Sequence, residues 1–234
     1  MLLAFDTATP AVSVAVHDGT RVLAMRTSDD LVRHGELLAP AIAGVLAEAA
    51  TDRRDLTGIA VGVGPGPFTG VRVGVVTALV LGESLGIRVD GVCSLDVVAG
   101  DVVRRGLTDG AFAVATDARR KEVYWATYDA TGKRLEGPGV QRPEDLAAQL
   151  TQVPVFGRGT RLYPASLSRE GASREGASRS PQVTEPLGPD AGVLADLVVH
   201  RAVELVDPVP QYLRRPDATP PGARKPASVP VRTV

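Results

Sequence analysis

The chain has 234 residues, of which 44% are hydrophobic and 23% are charged, and its formal net charge at pH 7 is -1. A nearly neutral chain has no overall attraction to nucleic acid, so any RNA contact must be local or supplied by a partner. Cys93 is the only cysteine, which excludes an intramolecular disulfide and a thiolate metal cluster. The sequence has neither the basic start of a signal peptide nor an uninterrupted apolar stretch of about 18 residues. We therefore expect a cytoplasmic protein without a membrane span.

The first half of the chain has the pattern of an α/β domain. LLAFDT predicts a buried strand that ends at Asp6, and AVSVAVHDG predicts a second strand before a turn, so the chain opens with a hairpin. A helix from His34, a strand at LTGIAVGVG, a glycine-rich loop, a helix to about Leu85 and a strand at IRVDGV follow. This alternation of strands and helices favours parallel neighbours in one sheet.

The second half begins in a similar way. AFAVATD and EVYWATYDATG predict another hairpin, in which Asp117 and Asp129 have the same twelve-residue spacing as Asp6 and Asp18. Internal duplication and chance both explain this spacing. GVQRPEDLAAQL predicts a loop capped into a helix, TQVPVFGRGT a strand that leads to a glycine turn, and AGVLADLVVHRAVEL a helix. The tandem REGAS repeat between the last two elements cannot form a core, and it predicts a mobile surface loop.

The segment GVGPGPFTGVRVG, residues 62–74, is the candidate for a phosphate-binding loop. A Walker A loop requires a lysine, which this loop lacks. The dinucleotide fingerprint also fails, because its two possible starts place Pro67 and Thr69 at the position of the third glycine. What remains is the location of Thr69 and Gly70 at a helix N-terminus, where free N–H groups attract anions in many proteins. The alternative is a tight turn that serves close packing.

The helix after this loop is predicted to pack closely against a sheet. Small residues recur at every fourth position, and they are Gly70, Gly74, Ala78 and Gly82. Valines and leucines flank this stripe on both sides and leave only Arg72 and Glu83 charged. A helix that is apolar nearly all round is buried on more than one face. Since the Ala-rich helix from His34 is also short of polar positions, we predict that the two helices form an association surface.

Other chemistry has little support in the sequence. His17, His34 and His200 lack the close helical spacing of a metal-binding pair, and no Gly-x-Ser-x-Gly elbow surrounds a serine. Asp6 and Asp117 each end a predicted strand. Together they could hold a hydrated Mg²⁺ between two lobes, or each could cap a turn, and both interpretations stay open.

Five segments, taken in order, resemble the TsaB family, also called YeaZ: DTATPAVSVAV, HGELLAPAI, VGVGPGPFTGVRVG, DARRKEVYWATYD and YLRRPDAT. The resemblance implies an α/β protein with the actin-like or sugar-kinase-like ATPase fold, which consists of duplicated ribonuclease-H-like lobes. We expect a first lobe at 1–105 that carries the dimerisation helices, and a smaller second lobe at 106–207 with a mobile loop near 166–182. A Pro-rich basic tail is expected at 208–234.

One departure from the catalytic relative determines the implied function. TsaD shares the fold and uses a metal-binding His-x-x-x-His after its glycine motif. The matching segment here, GVCSLDVV, has Ser94 and Val98 at the ligand positions, and neither can replace an imidazole on a metal. The resemblance therefore implies a non-catalytic subunit of the tRNA threonylcarbamoyladenosine (t6A) transferase complex. Such a subunit would bind and stabilise TsaD, meet the ATPase TsaE in the larger complex, form a homodimer when alone, and reach tRNA only through the complex.

The predicted partner surface comprises apolar residues of the first two helices, namely Leu37, Leu38, Ile42, Val45, Leu46, Val73, Val76, Leu79 and Val80. No cofactor and no metal are expected. The positions that could contact an ion are Asp6, Thr69, Gly70 and Asp117. The alternative function is an enzyme that acts on its own, either an actin-fold ATPase that uses Asp6 or a peptidase.

A third possibility concerns the tail. It contains five basic residues, Arg214, Arg215, Arg224, Lys225 and Arg232. A basic tail could bind RNA, but tails that mix proline and basic residues are usually solvated, and this one has no aromatic residue for base stacking after Tyr212.

Overall fold

The computed structural model describes residues 1–28, 34–150, 153–167 and 188–214. Within these ranges the chain forms two β-sheets with helices packed against them. The REGAS repeat and all of the tail beyond Arg214 lie outside the described residues, so the predicted mobile loop and RNA-binding tail stay predictions.

The first sheet has five strands in the spatial order β3-β2-β1-β4-β5. They are β1 (Leu2–Asp6), β2 (Val12–His17), β3 (Val22–Ser28), β4 (Gly58–Gly62) and β5 (Arg88–Val92). β1, β2 and β3 pair antiparallel, whereas β4 pairs parallel with both β1 and β5. Helices α1 (His34–Glu48) and α2 (Phe68–Leu85) precede β4 and β5, which confirms the predicted alternation of helices and parallel strands.

The second sheet repeats this order with one strand fewer, as β8-β7-β6-β9. Its strands are β6 (Phe112–Asp117), β7 (Val123–Tyr128), β8 (Arg134–Gln141) and β9 (Val155–Phe156). The remaining helices are α3 (Ser94–Arg104), α4 (Pro143–Gln149), α5 (Arg158–Leu162), α6 (Pro164–Leu167) and α7 (Ala191–Val199). The chain thus has two α/β lobes of the same topology, as the actin-like fold requires.

The two opening hairpins also match in their hydrogen bonds. Asp6 and Asp117 each accept a bond from the amide nitrogen two residues later, at 2.7 Å in both cases. In the next turn of each hairpin, Asp18 and Asp129 each accept two hydrogen bonds from the threonine two residues later. One comes from its backbone amide, at 2.7 and 2.8 Å respectively, and the other from its hydroxyl group. Shared topology and shared turn chemistry support internal duplication rather than chance.

The small-residue stripe of α2 faces the first sheet, as predicted. Gly70, Gly74, Ala78 and Gly82 are all buried. A Cβ on Gly74 would collide with the Thr7 hydroxyl, which donates a 2.7 Å hydrogen bond to the carbonyl of Gly70. By length and composition α2 could cross a membrane, but its close packing against the sheet makes it a helix of the folded domain.

The last described segment returns to the first sheet. Val193 and Leu194 of α7 pack with Ala4 and Ala60 of the first sheet. α7 was predicted to run to Leu205, but it ends at Val199 because Arg201 adopts a left-handed φ of 54°. Residues after the helix instead cross the edge of the sheet, where Val206 and Gly91 exchange two backbone hydrogen bonds of 2.9 Å. α7 therefore follows the second sheet in the chain but packs on the first. The domain limits at 105 and 207 stay a prediction.

Candidate functional site

Helix α2 has an apolar face that the rest of the described chain does not cover. Opposite the glycine stripe, Val76, Leu79 and Val80 are 49%, 44% and 62% exposed. Burying an apolar side chain is favourable at roughly 25 cal/mol per Å². A group of exposed aliphatic residues on one helix face is therefore typical of a protein interaction site.

A groove of about 480 Å³ lies at the N-terminal end of this face and is lined by Phe68, Thr69, Arg72, Val73, Val76 and Thr77. Phe68 stacks on Tyr212, with ring centroids 4.7 Å apart. The guanidinium carbon of Arg72 lies 5.5 Å from the centroid of the Phe68 ring, in the range of a cation–π contact. Although their rings are stacked, Phe68 and Tyr212 are each 39% exposed, so they extend the apolar face of α2.

The structure corrects part of the predicted surface. Leu38, Ile42 and Val45 of α1 are buried in the core of the first lobe. They occupy positions i, i+4 and i+7, the spacing of a core-facing helix stripe. A second group, Leu37, Leu46 and Val73, is partly buried and packs against the same core. The exposed residues in the middle of α1 are small, namely Ala39, Pro40, Ala43 and Ala47, and the exposed Glu36 and Glu48 lie near its two ends. The middle of α1 thus offers a partner a shallow apolar surface, whereas the large exposed apolar side chains belong to α2.

Asp6, a candidate for nucleotide chemistry, is enclosed by the protein. It is 1% exposed, and Oδ1 accepts the amide hydrogen of Ala8 while Oδ2 accepts the hydroxyl hydrogen of Ser94 at 2.5 Å. Gly62 leaves the space for the carboxyl group, since a Cβ there would collide with it. Burial raises the pKa of Asp6 to about 6, and the bonds from Ser94 and Ala8 oppose the rise.

Ser94 and Val98, the two positions that the sequence resemblance matches to metal ligands of TsaD, have contacts within the protein. Ser94 is buried, and its hydroxyl donates to Asp6 and accepts the amide hydrogen of Gly64 at 3.1 Å. Its own amide donates to the carbonyl of Gly64. Val98 lies in the core that α3 shares with the second sheet. Among the described residues, no group of three His, Cys, Asp or Glu side chains could hold a metal ion.

The other predicted ion contacts are not gathered around Asp6. Thr69 is exposed and lines the groove on α2, whereas Gly70 is buried and its carbonyl accepts the Thr7 hydroxyl hydrogen. Asp117 ends β6 in the second lobe, where it accepts the amide hydrogen of Arg119 and forms an ion pair with its guanidinium group at 3.5 Å. Asp6 and Asp117 thus each accept a backbone amide hydrogen in the turn after their strand, a contact that favours the turn-capping interpretation of the pair.

Comparison with known proteins places these features in a family. A family model described as TsaD, tRNA N6-adenosine threonylcarbamoyltransferase, matches residues 31–165. An uncharacterised protein of Mycobacterium tuberculosis is 41% identical over 94% of each chain. The Escherichia coli protein named tRNA threonylcarbamoyladenosine biosynthesis protein TsaB is 32% identical over 70% of this chain and 73% of its own length.

Solved structures support the same family assignment. The YeaZ structure from Pseudomonas aeruginosa superposes with a TM-score of 0.70 at 29% identity and covers 91% of this chain and 99% of its own. A second structure from that organism, described as similar to peptidase YEAZ, gives 0.72 at 30% identity with the same coverage. The chain is thus an α/β protein of the actin-like class that also contains the threonylcarbamoyltransferases. Within that class, it belongs to the TsaB (YeaZ) family.

Two features of the site could not be predicted from the local pattern. The stack of Phe68 on Tyr212 joins residues far apart in the chain. The only sign in the sequence that the segment around Tyr212 is important was the resemblance of YLRRPDAT to the family. The bond from Ser94 to Asp6 likewise joins α3 to β1. The burial of Leu38, Ile42 and Val45 did have a signal, because their spacing is that of a single core-facing stripe.

Proposed function

We propose that this chain is a non-catalytic subunit in tRNA threonylcarbamoyladenosine biosynthesis that binds and stabilises a TsaD-type transferase through the exposed face of α2. The related proteins of E. coli and Bacillus subtilis are named for this biosynthesis. The observation that carries the proposal is the exposure of Val76, Leu79 and Val80 on one helix. The transferase is the first partner, TsaE joins the assembled complex, and the same face closes a homodimer when the transferase is absent.

The charge pattern of α2 supports a protein partner. Over 18 residues the helix has only two charged side chains, Arg72 and Glu83. The cores of protein interfaces are depleted in charge, whereas the rim is polar. With Phe68 and Tyr212 at one end, the face has the aromatic anchors that contribute most at interfaces.

The surroundings of Asp6 support a non-catalytic role. A carboxylate that binds Mg²⁺ must present free oxygens to the ion or to its water shell. In this chain one oxygen of Asp6 accepts from Ser94 and the other from Ala8, and the side chain is buried. These contacts favour an accessory subunit over the alternative of an ATPase that uses Asp6.

Size-exclusion chromatography of the chain mixed with its cognate TsaD tests the partner surface. Leu79→Glu would place a carboxylate in the desolvated centre of the interface, where an unpaired charge costs several kcal/mol. We expect the complex to be lost or its dissociation constant to rise about 100-fold or more. The monomer should keep its fold, because the side chain of Leu79 is 44% exposed.

Leu135→Glu is the matched control. Leu135 is 61% exposed on β8 of the second lobe, so the same change of side chain there should leave the complex intact. If Leu79→Glu binds TsaD as tightly as Leu135→Glu does, the assignment of the interface to α2 is wrong.

A further inference from the structure

A second cleft, of about 500 Å³, lies between the turn from β7 to β8, the first turn of α3 and the segment that follows α7. None of its lining residues belongs to α2, so the cleft is separate from the proposed partner surface. Three basic side chains and two acidic ones line it, and this excess of positive charge favours an anionic ligand. The five residues are Asp96, Lys133, Arg134, Arg201 and Glu204.

Arg134 is the most enclosed of the three basic residues, with 19% of its side chain exposed. Its Nη2 donates to Glu204 at 3.3 Å and lies 3.7 Å from Oδ2 of Asp96. Nη1 is buried and has no hydrogen-bond partner in the described part of the chain. Since a buried donor without an acceptor is unfavourable, the guanidinium group lacks an acceptor that a carboxylate or phosphate oxygen would supply.

The two acids of the cleft leave this capacity open. Asp96 is 7% exposed, and its Oδ1 accepts the hydroxyl hydrogen of Tyr128 at 2.9 Å. Burial raises the pKa of Asp96, and the charge of Arg134 opposes the rise. The side chain of Glu204 is 73% exposed, so water and salt weaken its attraction to Arg134.

The turn that contributes Lys133 is fixed by Asp129. Oδ1 of Asp129 accepts the amide hydrogens of Thr131 and Lys133, at 2.8 and 3.0 Å, and the hydroxyl hydrogen of Thr131 at 2.6 Å. The bond from the Thr131 hydroxyl is the main cause of the lowered pKa of Asp129, and the charge of Lys133 is a smaller one. Because the turn is preformed, little backbone entropy would be lost when Lys133 binds a ligand.

Arg201 lines the cleft from a strained backbone position. At the end of α7, its amide donates to the carbonyl of Val198 at 3.2 Å, and the amide of Ala202 donates to the carbonyl of Leu197 at 2.8 Å. These two bonds define a helix-terminating motif in which the residue at the position of Arg201 adopts a left-handed conformation and is usually glycine. The φ of Arg201 is 54°.

Three other helices of the chain end in the same motif with a small residue at this position. α2 and α3 have Gly86 and Gly106 there, with φ values of 65° and 62°, and α1 has Ala50 with a φ of 47°. A residue with a Cβ is disfavoured in this conformation, and backbone strain is concentrated at functional sites. A need for a basic side chain in the cleft would explain why Arg201 occupies a position suited to glycine.

We propose that this cleft binds the oxyanion group, carboxylate or phosphate, of a small molecule, with Arg134 as the buried contact and Lys133 and Arg201 as exposed contacts. Lys133 and Arg134 belong to the hairpin of the second sheet, whereas Arg201 follows a helix that packs on the first sheet. A bound anion would therefore connect the two lobes. All of these residues come from one chain, so the site requires no TsaD and is independent of the proposed function.

The test titrates the isolated full-length chain with sodium phosphate and, separately, with sodium succinate at constant ionic strength, while amide NMR shifts are recorded. The amides of residues 131–134 and 201–204 should shift along one saturable curve, with a dissociation constant of about 1 mM or below. Saturation by phosphate alone, by succinate alone or by both supports the site and identifies the oxyanion that it accepts. If neither salt gives saturable shifts at these amides, the proposal is wrong.

Two substitutions separate the ligand contact from the fold. Arg201→Gly relieves the left-handed backbone, so the melting temperature should stay the same or rise, whereas the dissociation constant should increase about tenfold or more. Arg134→Lys keeps a positive charge beside Asp96 but removes the forked donor group. It should also weaken binding about tenfold.

Ala50→Gly and Arg142→Gln are the controls. The first makes the same backbone change after α1, and the second removes an exposed charge next to β8 at the end opposite Arg134. Neither residue lines the cleft, so both variants should bind the anion as the wild type does. Unchanged affinity in Arg201→Gly and Arg134→Lys, or an equal loss in Arg142→Gln, would show that the anion does not bind in this cleft.

Discussion

At the scale of single residues, the hydrogen bonds of Asp6 support the proposed accessory role. Its carboxyl group accepts from Ser94 and Ala8 and is buried. Ser94, which the sequence resemblance matches to a metal ligand of TsaD, donates its hydroxyl hydrogen to one oxygen of this acid. This bond connects β1 to α3 within the folded chain.

The raised pKa of Asp6 predicts a pH-dependent stability. Since the pKa of Asp6 is about 6 in the folded chain and that of an unburied aspartic acid is 3.8, folding favours the protonated acid, and this stabilisation is lost as the pH rises through 6. Asp6→Asn removes this dependence. The unfolding free energy of the variant minus that of the wild type should increase by about 3 kcal/mol between acidic and neutral pH.

Urea denaturation at a series of pH values measures this difference. Because all other titrating groups are common to the two proteins, their contributions cancel in the subtraction. A difference that stays constant with pH would contradict the burial of an ionisable Asp6.

At the scale of elements, α2 combines a tightly packed face with an exposed one. Gly74→Ala tests the packed face, because the new methyl group would collide with the Thr7 hydroxyl that bonds to Gly70. We expect a loss of about 1 to 3 kcal/mol in unfolding free energy. Gly35→Ala in α1 is the control, since a Cβ there meets open space, and it should be neutral or stabilising by up to about 1 kcal/mol.

Helix α7 is held to the first sheet by a side-chain pair. The amide of Gly19 donates to Nδ1 of His17, so Nε2 carries the ring hydrogen and donates to Asp196 at 2.9 Å. Asp196→Ala leaves this donor buried without its acceptor and should cost about 1 to 3 kcal/mol. Asp196→Asn keeps an acceptor oxygen and should cost less. Equal losses in chemical denaturation would mean that the hydrogen bond does not hold the helix.

The sequence predicted the elements that have a strong apolar periodicity. It did not predict the elements whose apolar pattern is interrupted and that depend on contacts with residues far away in the chain. α1 and α2 were predicted because they are long and apolar. β3 was not predicted, since its outer residues are exposed at the edge of the sheet. α3 has two aspartates on its buried side, Asp96 and Asp101, which interrupt the apolar pattern. Asp101 is paired with Arg104 and Arg105, and Tyr128 donates to Asp96.

At the scale of the whole molecule, the two lobes share one topology but present different surfaces. The first lobe exposes the apolar face of α2, whereas the second contributes Lys133 and Arg134 to the charged cleft. The described end of the chain connects the lobes, because Tyr212 stacks on Phe68 and Arg214 donates to the carbonyl of Ala118 after β6. The resemblance to the family implied the duplicated topology, and the repeated hairpin agreed with it. This connection could not be predicted, because it depends on residues far apart in the sequence.

The central claim is that the chain acts through its partner surface and not through chemistry of its own. Reconstituted threonylcarbamoyl transfer to tRNA by TsaD and TsaE, with and without this chain, tests it most directly. We predict that transfer requires the chain, that Leu79→Glu abolishes its effect, and that Asp6→Asn retains it. Transfer that proceeds equally well without the chain, or that is lost in Asp6→Asn while the complex still forms, would contradict the account.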